Sequence, residues 1–398
     1  MIWSPVLHIY QPPTQFPEIT RKIAEESYAP LVAFLDSNPK AKLTLNINAS
    51  LSEQLAELGY RDVLAGIRRL TERGQVELLG SGAFHPLLTR LPFSEISRQV
   101  RLNERMNREL IGPIYKPRGF FPPELAYSRK VGNVLAELGY EWVLAEDCCI
   151  SNPPVRYDRV YELPSGDISV FFRQSELSLA IAFGRVENAA GFVKLAGKVL
   201  GEGDYILTAM DGETFGHHRK DSFKLLADLY AVLESATVSE LTLRYPKREK
   251  TDPMESTWAV SHEDCERGTV YPRWDNPGSP LHPKQWELFR LALEVVRESV
   301  YRLGQPDGLK SFNLSSLQKR WLKARQILDR ALHSDQFWWA SHNPYWHPAM
   351  VERGTKLLLE AVLAVPGVSK DEEERARALY REITTEGVKM YGKEPITG

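Results

Sequence analysis

The first 235 residues alternate short apolar runs with longer amphipathic ones, and no other feature constrains the fold of this chain as strongly. Ile2–Ile9, Lys42–Asn48, Val76–Leu79, Gly119–Phe121, Trp142–Ala145, Val170–Arg173 and Ile206–Met210 read as strands, several running into glycine, proline or a charged residue. Between them Arg21–Asp36, Arg61–Arg73, Glu95–Leu110, Ser128–Leu138 and Lys220–Leu233 carry apolar residues at helical spacing. Strand–helix repetition predicts a parallel sheet, because parallel neighbours need a crossover long enough to hold a helix. About seven such units predict an α/β fold, with a closed or nearly closed β/α barrel favoured, and the chain beyond them reads as a helical bundle packed on it. An open doubly wound sheet is the alternative. No Gly-x-Gly-x-x-Gly follows a strand, which weakens a dinucleotide reading.

Residues 236–283 break the pattern with Pro246, Pro253, Pro272, Pro277, Pro280 and Pro283 and little periodicity. They read as a loop-rich insertion able to rim a site. From Lys284 the chain is helical. Leu288, Phe289, Ala292, Val295 and Val296 form one stripe, and Leu314, Leu317, Trp321, Ala324, Leu328 and Ala331 another; Asp371–Glu386 reads as a charged helix with Ala376, Leu379 and Ile383 on one face. The expected domains are 1–283, catalytic, and 284–398, helical and completing the cleft.

Lys and Arg number 50 against 52 Asp and Glu, so the formal charge of −2 gives no electrostatic reason to bind nucleic acid or an anionic membrane. No apolar run approaches the roughly 20 residues that span a bilayer. The N-terminus lacks a basic segment followed by a long apolar one, so no signal peptide is expected. Cys148, Cys149 and Cys265 are too few for a disulfide framework and read as reduced thiols of a cytoplasmic protein. Nine Trp, sixteen Tyr and fifteen Phe, many in polar, Pro-containing stretches, suit surfaces that stack on flat, weakly polar ligands such as sugars.

Five stretches carry candidate chemistry. His8-Ile9-Tyr10-Gln11-Pro12-Pro13 ends a strand in polar side chains, where a histidine is as readily structural as functional. Gly80-Ser81-Gly82-Ala83-Phe84-His85-Pro86 follows a strand with small residues that admit close approach or simply turn the chain. In Phe121-Pro122-Pro123-Glu124 a lone carboxylate is held by prolines among aromatics. It could serve the start of a helix or be a pre-aimed nucleophile. Asp211-Gly212-Glu213-Thr214-Phe215-Gly216-His217-His218 ends an apolar strand with two acids and two histidines, which are costly there without a task. Ser334-Asp335-Gln336-Phe337-Trp338-Trp339, with His342, Tyr345, Trp346 and His347 beyond, exceeds what a turn between helices needs.

In this order the five resemble the motifs of glycoside hydrolase family 57, spread from His8 to Trp339. The resemblance implies an incomplete (β/α)7 TIM-like barrel followed by a C-terminal helical bundle, and a retaining enzyme acting on α-glucans, with α-1,4 and α-1,6 linkages both open; no cofactor and no metal is expected. Glu124 matches the nucleophile and Asp211 the general acid/base. Such a pair works across the sugar at about 5–5.5 Å. His8 and Gln11 match the first motif, with Tyr10 where the family usually has histidine. His85-Pro86 is similar to amylase- and amylopullulanase-like members; glucanotransferase-like members tend to carry Glu there, a departure that favours hydrolysis over transfer. His8, Gln11, His85, Phe121, His217, His218 and Asp335 are then expected around the sugar at the cleavage point. Trp258, Trp274, Trp338, Trp339 and Trp346 are expected as flanking platforms. The usual members are longer, with a β-rich domain for which there is no room here. An α-glucan is the implied partner, and nothing in the sequence sets an oligomeric state.

Within the family, a 4-α-glucanotransferase or branching enzyme and an α-galactosidase share the two acids. Outside it stand a metal-dependent deacetylase or mannosidase-like hydrolase, with His8, His85, Asp211 and His217 as ligands, and an inactive glucan-binding module. The histidine spacing matches no compact metal motif, and both acids are present.

Overall fold

The computed structural model describes residues 1–150, 153–303, 316–342 and 345–396, without the side chains of 262, 265 and 300–303. The chain divides into two compact units. The first comprises Met1–Gln11, Gln15–Ala83 and Leu87–Val270; the second comprises Pro12–Thr14, Phe84–Pro86 and Tyr271–Gly398.

Strands of the first unit are β1 (Ile2–Ile9), β2 (Leu43–Ile47), β3 (Val76–Leu79), β4 (Gly119–Phe120), β5 (Trp142–Glu146), β6 (Val160–Glu162), β7 (Ser169–Arg173), β8 (Ile206–Asp211), β9 (Glu234–Ser235) and β10 (Arg248–Lys250). They form two sheets, in the orders β3-β2-β1-β8 and β10-β6-β7-β5-β4, with β9 added beside β1. Every pairing is parallel except β6 with β7. The sheets are joined twice. Gly80, just past β3, bridges Phe120, its N–H donating to Gly119 O at 2.9 Å and its carbonyl accepting from Phe121 N at 2.9 Å. Past β7, Gln174 N donates to Leu207 O on β8 at 2.8 Å.

The seven expected strands are all present; β6, β9 and β10 are additional, and β10 lies within the stretch read as loop. The period-two pattern has a different meaning from the usual one. Leu43–Ile47 is buried at every position, as a parallel strand covered on both faces must be. Leu7, Ile9, Leu43, Leu45, Ile47, Val76, Leu78, Ile206 and Met210 lie in one apolar core. Val6, Leu79, Trp142, Leu144, Phe171, Leu207 and Ala209, the alternate positions, lie in another. Polar residues on this second, inner face are buried too. At its lower end Glu77 accepts from Ser239 N at 3.0 Å, and Thr44 Oγ1 accepts from Val238 N at 3.0 Å, so both meet the start of helix Val238–Arg244.

Ser128, Gln174 and Asn188 start the helices Arg129–Glu137, Ser175–Ala182 and Ala189–Val199, each accepting from a backbone N–H in the first turn. Of the last two, both additional to the helices expected from the sequence, Ser175–Ala182 is short and weakly patterned, whereas Ala189–Val199 sets Ala189, Phe192 and Ala196 on one buried face.

The second unit packs the helices His282–Leu303, Ser316–Ala331, Pro348–Ala364 and Lys370–Tyr391 on one another. The stripes Leu288–Val296, Trp321–Ala331 and Ala376–Ile383 supply buried residues to it. Leu317 departs from its stripe and is 48% exposed, and Leu314 lies outside the described residues. Residues 271–283 belong with these helices because Trp286 Nε1 donates to Trp274 O at 2.8 Å and His282 Nδ1 accepts from Asn276 N at 3.0 Å.

Gly119 has no room for a side chain: a Cβ there would lie 2.0 Å from the Trp142 ring, whose Nε1 is tied to Ser239 Oγ at 2.9 Å. Gly119→Ala should cost about 1–3 kcal/mol. Gly197→Ala, on an open helical face with nothing within 4 Å, should be neutral or gain up to about 1 kcal/mol. Urea unfolding of the two variants beside the parent checks both signs.

Candidate active site

The inner face ends, at the C-terminal edge of the strands, in a row of polar side chains. His8, Asn46, Glu146, Arg173 and Asp211 each fall an even number of residues past an inner-face position, so they point the same way. His8 stands level with Asn46 on β2 and with Asp211 on β8. Its Nδ1 lies 2.6 Å from Asn46 Oδ1. An amide oxygen only accepts, so the neutral ring carries its proton on Nδ1 and a lone pair on Nε2. The ring stacks on Phe121 with centroids 4.7 Å apart and planes 2° from parallel. Phe121 therefore backs His8 and is itself fully buried.

Beyond β4, Pro122 and Pro123 hand the chain to Glu124 at φ +61° and Leu125 at φ +47°. This left-handed region costs a non-glycine residue about 1–3 kcal/mol, and its surroundings must enforce it. They do. Leu125 N donates to Pro122 O at 2.8 Å and Ala126 N to Pro123 O at 3.0 Å, and Tyr127 and Ser256 exchange backbone bonds of 3.0 and 3.2 Å. Trp258 then grips Glu124 twice, its backbone N donating to the Glu124 carbonyl at 3.1 Å and its indole Nε1 to Oε2 at 2.9 Å. Glu124 is 8% exposed. Trp258, expected as a sugar platform, instead orients this carboxylate.

Asp211 is half-buried at the end of β8, and the one-turn segment Gly212–Thr214 carries Glu213 inward. Glu213 Oε1 accepts from the Tyr28 hydroxyl, from Gln11 Nε2 at 3.2 Å and from Tyr10 N at 3.4 Å. Gln11 thus serves Glu213. Burial pushes the Glu213 carboxyl up to about 8, the charge of Asp211 adding to it and the Tyr28 hydroxyl opposing. Tyr28 belongs to a π-helical turn, Ala24–Tyr28, that addresses this loop with three consecutive side chains. Glu26 Oε2 lies 2.6 Å from His217 Nδ1, Ser27 Oγ donates to Gly212 O at 3.1 Å, and Tyr28 reaches Glu213. Gly216 makes that approach possible: at φ +93°, its Cβ would sit 2.0 Å from Glu26 O. His218 is held below the usual imidazole range by burial.

Glu146 and Arg173 escaped notice in the sequence, where an acid after one strand and an arginine ending another look like ordinary surface charges. Arg173 Nη1 donates to both Glu146 oxygens, at 2.9 and 2.8 Å. Burial pushes the Glu146 carboxyl up to about 7, against the pull of that guanidinium. The signal available in advance was their register on the inner face.

The other expected residues belong to the second unit. His85, at φ +58° and buried, has Nδ1 3.0 Å from Ser334 Oγ. Asp335 Oδ2 lies 3.4 Å from His333 Nδ1. Half-buried Trp338 packs against Tyr345 at 4.0 Å between ring centres and meets the edge of Trp339 at 4.7 Å. Trp274 and Trp346, expected as platforms, are core residues, each 1% exposed. Trp274 O accepts from Trp286 Nε1, and Trp346 Nε1 is tied to Gly392 O at 3.0 Å.

Among the described residues no three His, Cys, Asp or Glu side chains converge on a metal-sized site. No helix among them is long and apolar enough to cross a membrane.

A family model for glycosyl hydrolase family 57 matches residues 7–249. An α-amylase of Pyrococcus abyssi is 26% identical over 216 residues, covering 53% of this chain and 32% of that protein. A 4-α-glucanotransferase of Thermococcus kodakarensis is 25% identical over 218 residues, with 53% and 32% covered. The chain spans about a third of the length of either relative. Of solved structures, a family 57-type branching enzyme of Pyrococcus horikoshii aligns with a TM-score of 0.73 at 18% identity, covering 98% of this chain and 94% of that one. The α-amylase AmyC of Thermotoga maritima aligns at 0.65 and 15% identity, with 96% of each covered. At these identities the likeness is one of fold.

The raised Glu213 carboxyl has a consequence for stability. The fold prefers its neutral form, so this contribution is complete below the ordinary carboxyl range and drains away as pH rises toward about 8. Glu213→Gln keeps the neutral form at every pH. Its thermal midpoint, measured relative to the parent, should climb between pH 5 and 8.5; parallel curves would contradict the assignment.

Proposed function

Because the chain belongs to glycosyl hydrolase family 57, we propose that it cleaves α-glucans with retention of configuration, Glu124 acting as nucleophile and Asp211 as general acid/base. The observation that carries this reading is the clamp on Glu124. A carboxylate in an enforced left-handed conformation, 8% exposed, with an indole N–H fixing one oxygen, is held for a purpose that helix initiation does not explain. In this reading the parallel strands β1–β5, β7 and β8 make up an incomplete (β/α)7 barrel, and both acids stand at its C-terminal edge, where such folds do chemistry.

One Glu124 carboxylate oxygen attacks the anomeric carbon as Asp211 gives its proton to the departing glycosidic oxygen. The bond to the leaving sugar breaks and a glycosyl–enzyme ester forms. Asp211 then takes a proton from water, which attacks the same carbon and releases Glu124. If another sugar hydroxyl takes the place of water, the same steps give transfer. Hydrolysis is favoured by His85-Pro86, where glucanotransferase-like members tend to carry Glu. His8, with its proton fixed on Nδ1 by Asn46, and His217, held by Glu26, are the imidazoles assigned to sugar hydroxyls in this reading.

The product profile on maltoheptaose, pullulan and an α-galactoside tests the substrate class. α-Glucan fragments are expected, and galactose release alone would contradict it. Glu124→Gln should fold normally and lose most turnover, and azide should restore activity to Glu124→Ala by supplying the missing nucleophile. Asp211→Asn should slow sugar leaving groups far more than activated aryl ones, which need little protonation. NMR of the first product should show the α anomer; a β anomer would remove Glu124 as nucleophile.

The reading uses carboxylates only, so turnover should survive exhaustive chelation with EDTA. Loss of activity restored specifically by zinc would favour the metal-dependent alternative. In the ligand set of that alternative, His8 and His217 already have Nδ1 within 2.6 Å of Asn46 and Glu26.

A further inference from the structure

Arg173 is the side chain that touches the supports of both proposed acids. Its Nη1 binds Glu146 at 2.9 and 2.8 Å, and its Nε donates to Ala209 O at 2.8 Å. Its Cζ lies 5.9 Å from the centre of the Trp258 ring. Ala209 is two residues before Asp211 on β8. Trp258 is the residue that grips Glu124 through backbone and side chain. One guanidinium therefore joins the strand that delivers one acid to the indole that fixes the other. Glu146, from β5, holds that guanidinium in place.

Stability alone does not account for the pair. The two side chains are 4% and 2% exposed, and a buried ion pair is commonly no more stable than an apolar pair of the same volume. A lysine would keep the charge but not the arrangement: one ammonium cannot donate to a strand carbonyl, bind both oxygens of a carboxylate and face an indole at once.

We propose that Arg173, locked by Glu146, is a positioning residue that sets Glu124 and Asp211 at the separation their reaction needs. The inference rests on the assignment of those two acids. A shift of about 1 Å in such a pair can cost a hundredfold in rate while leaving substrate binding intact.

The test uses the full chain on maltoheptaose, or on the substrate the product profile selects. Arg173→Lys should lower kcat about a hundredfold with KM little changed, the signature of an interaction realised at the transition state. The double variant Arg173→Met, Glu146→Leu replaces the pair by apolar side chains. It should keep or raise the thermal midpoint and still lose kcat. Guanidinium ion should restore part of the rate to Arg173→Ala. A folded double variant with the parent's kcat overturns the proposal, as does a rise confined to KM. If the double variant does not fold, Arg173→Lys decides, and an unchanged kcat overturns the proposal. Glu124→Gln separates the two failures. Full activity there means the acids are misassigned; an inactive Glu124→Gln beside a fully active Arg173→Lys means that the positioning role alone is wrong.

Discussion

Strands covered on both faces leave a polar side chain few places to go. Along most of their length β1, β2, β5, β7 and β8 must be apolar or satisfy each polar group from a neighbour. Their C-terminal ends are where such groups gather, and there each partner comes from a different strand: Asn46 for His8, Glu146 for Arg173, a β8 carbonyl for the same arginine. Sequence-distant residues are made interdependent by this one condition. Displacing a single strand end leaves a buried donor or acceptor unmatched, which costs about 1–3 kcal/mol. The rim is therefore stiff for the same reason that it is polar.

Three buried glutamates illustrate how differently one residue type is treated across this edge. Glu124 meets an indole N–H, Glu146 a guanidinium, and Glu213 a phenol, an amide and a backbone N–H. A cation and a neutral donor change a carboxyl's proton affinity by unequal amounts, so one edge can hold acids of distinct character. Half-buried Asp211 differs from all three in facing solvent.

Much of this was legible in the sequence, and the reasons are physical. Strand positions followed from apolar runs ending at glycine, proline or charge, and the candidate acids followed from asking what sits at those ends. What escaped was contributed by tertiary context. Helix Ser175–Ala182 carries little helical periodicity, Ala189–Val199 was missed although Ala189, Phe192 and Ala196 recur at helical spacing, and β6 and β10 are three residues each, too short for any pattern. Glu146 and Arg173 were invisible because a charge at the end of a strand is ordinary until its register is known. Trp274 and Trp346 were misjudged because a tryptophan beside prolines looks exposed, whereas here both are fully buried. Trp258 was singled out for a different task, since a sequence does not say which way an indole N–H points.

The π-helical turn at Ala24–Tyr28 carries an implication for how this segment can vary. Such a turn holds one residue more than the α-helical turn it interrupts, so its length is a register, like the count of teeth on a gear. Deleting one residue would leave a smoother, more regular helix, yet would rotate every later residue of that helix by about 100°. Glu26, Ser27 and Tyr28 could no longer all face the β8 loop. Between Pro17 and Ser37, then, substitutions on the outer surface should be freely exchangeable among homologous chains, while the number of residues should be fixed.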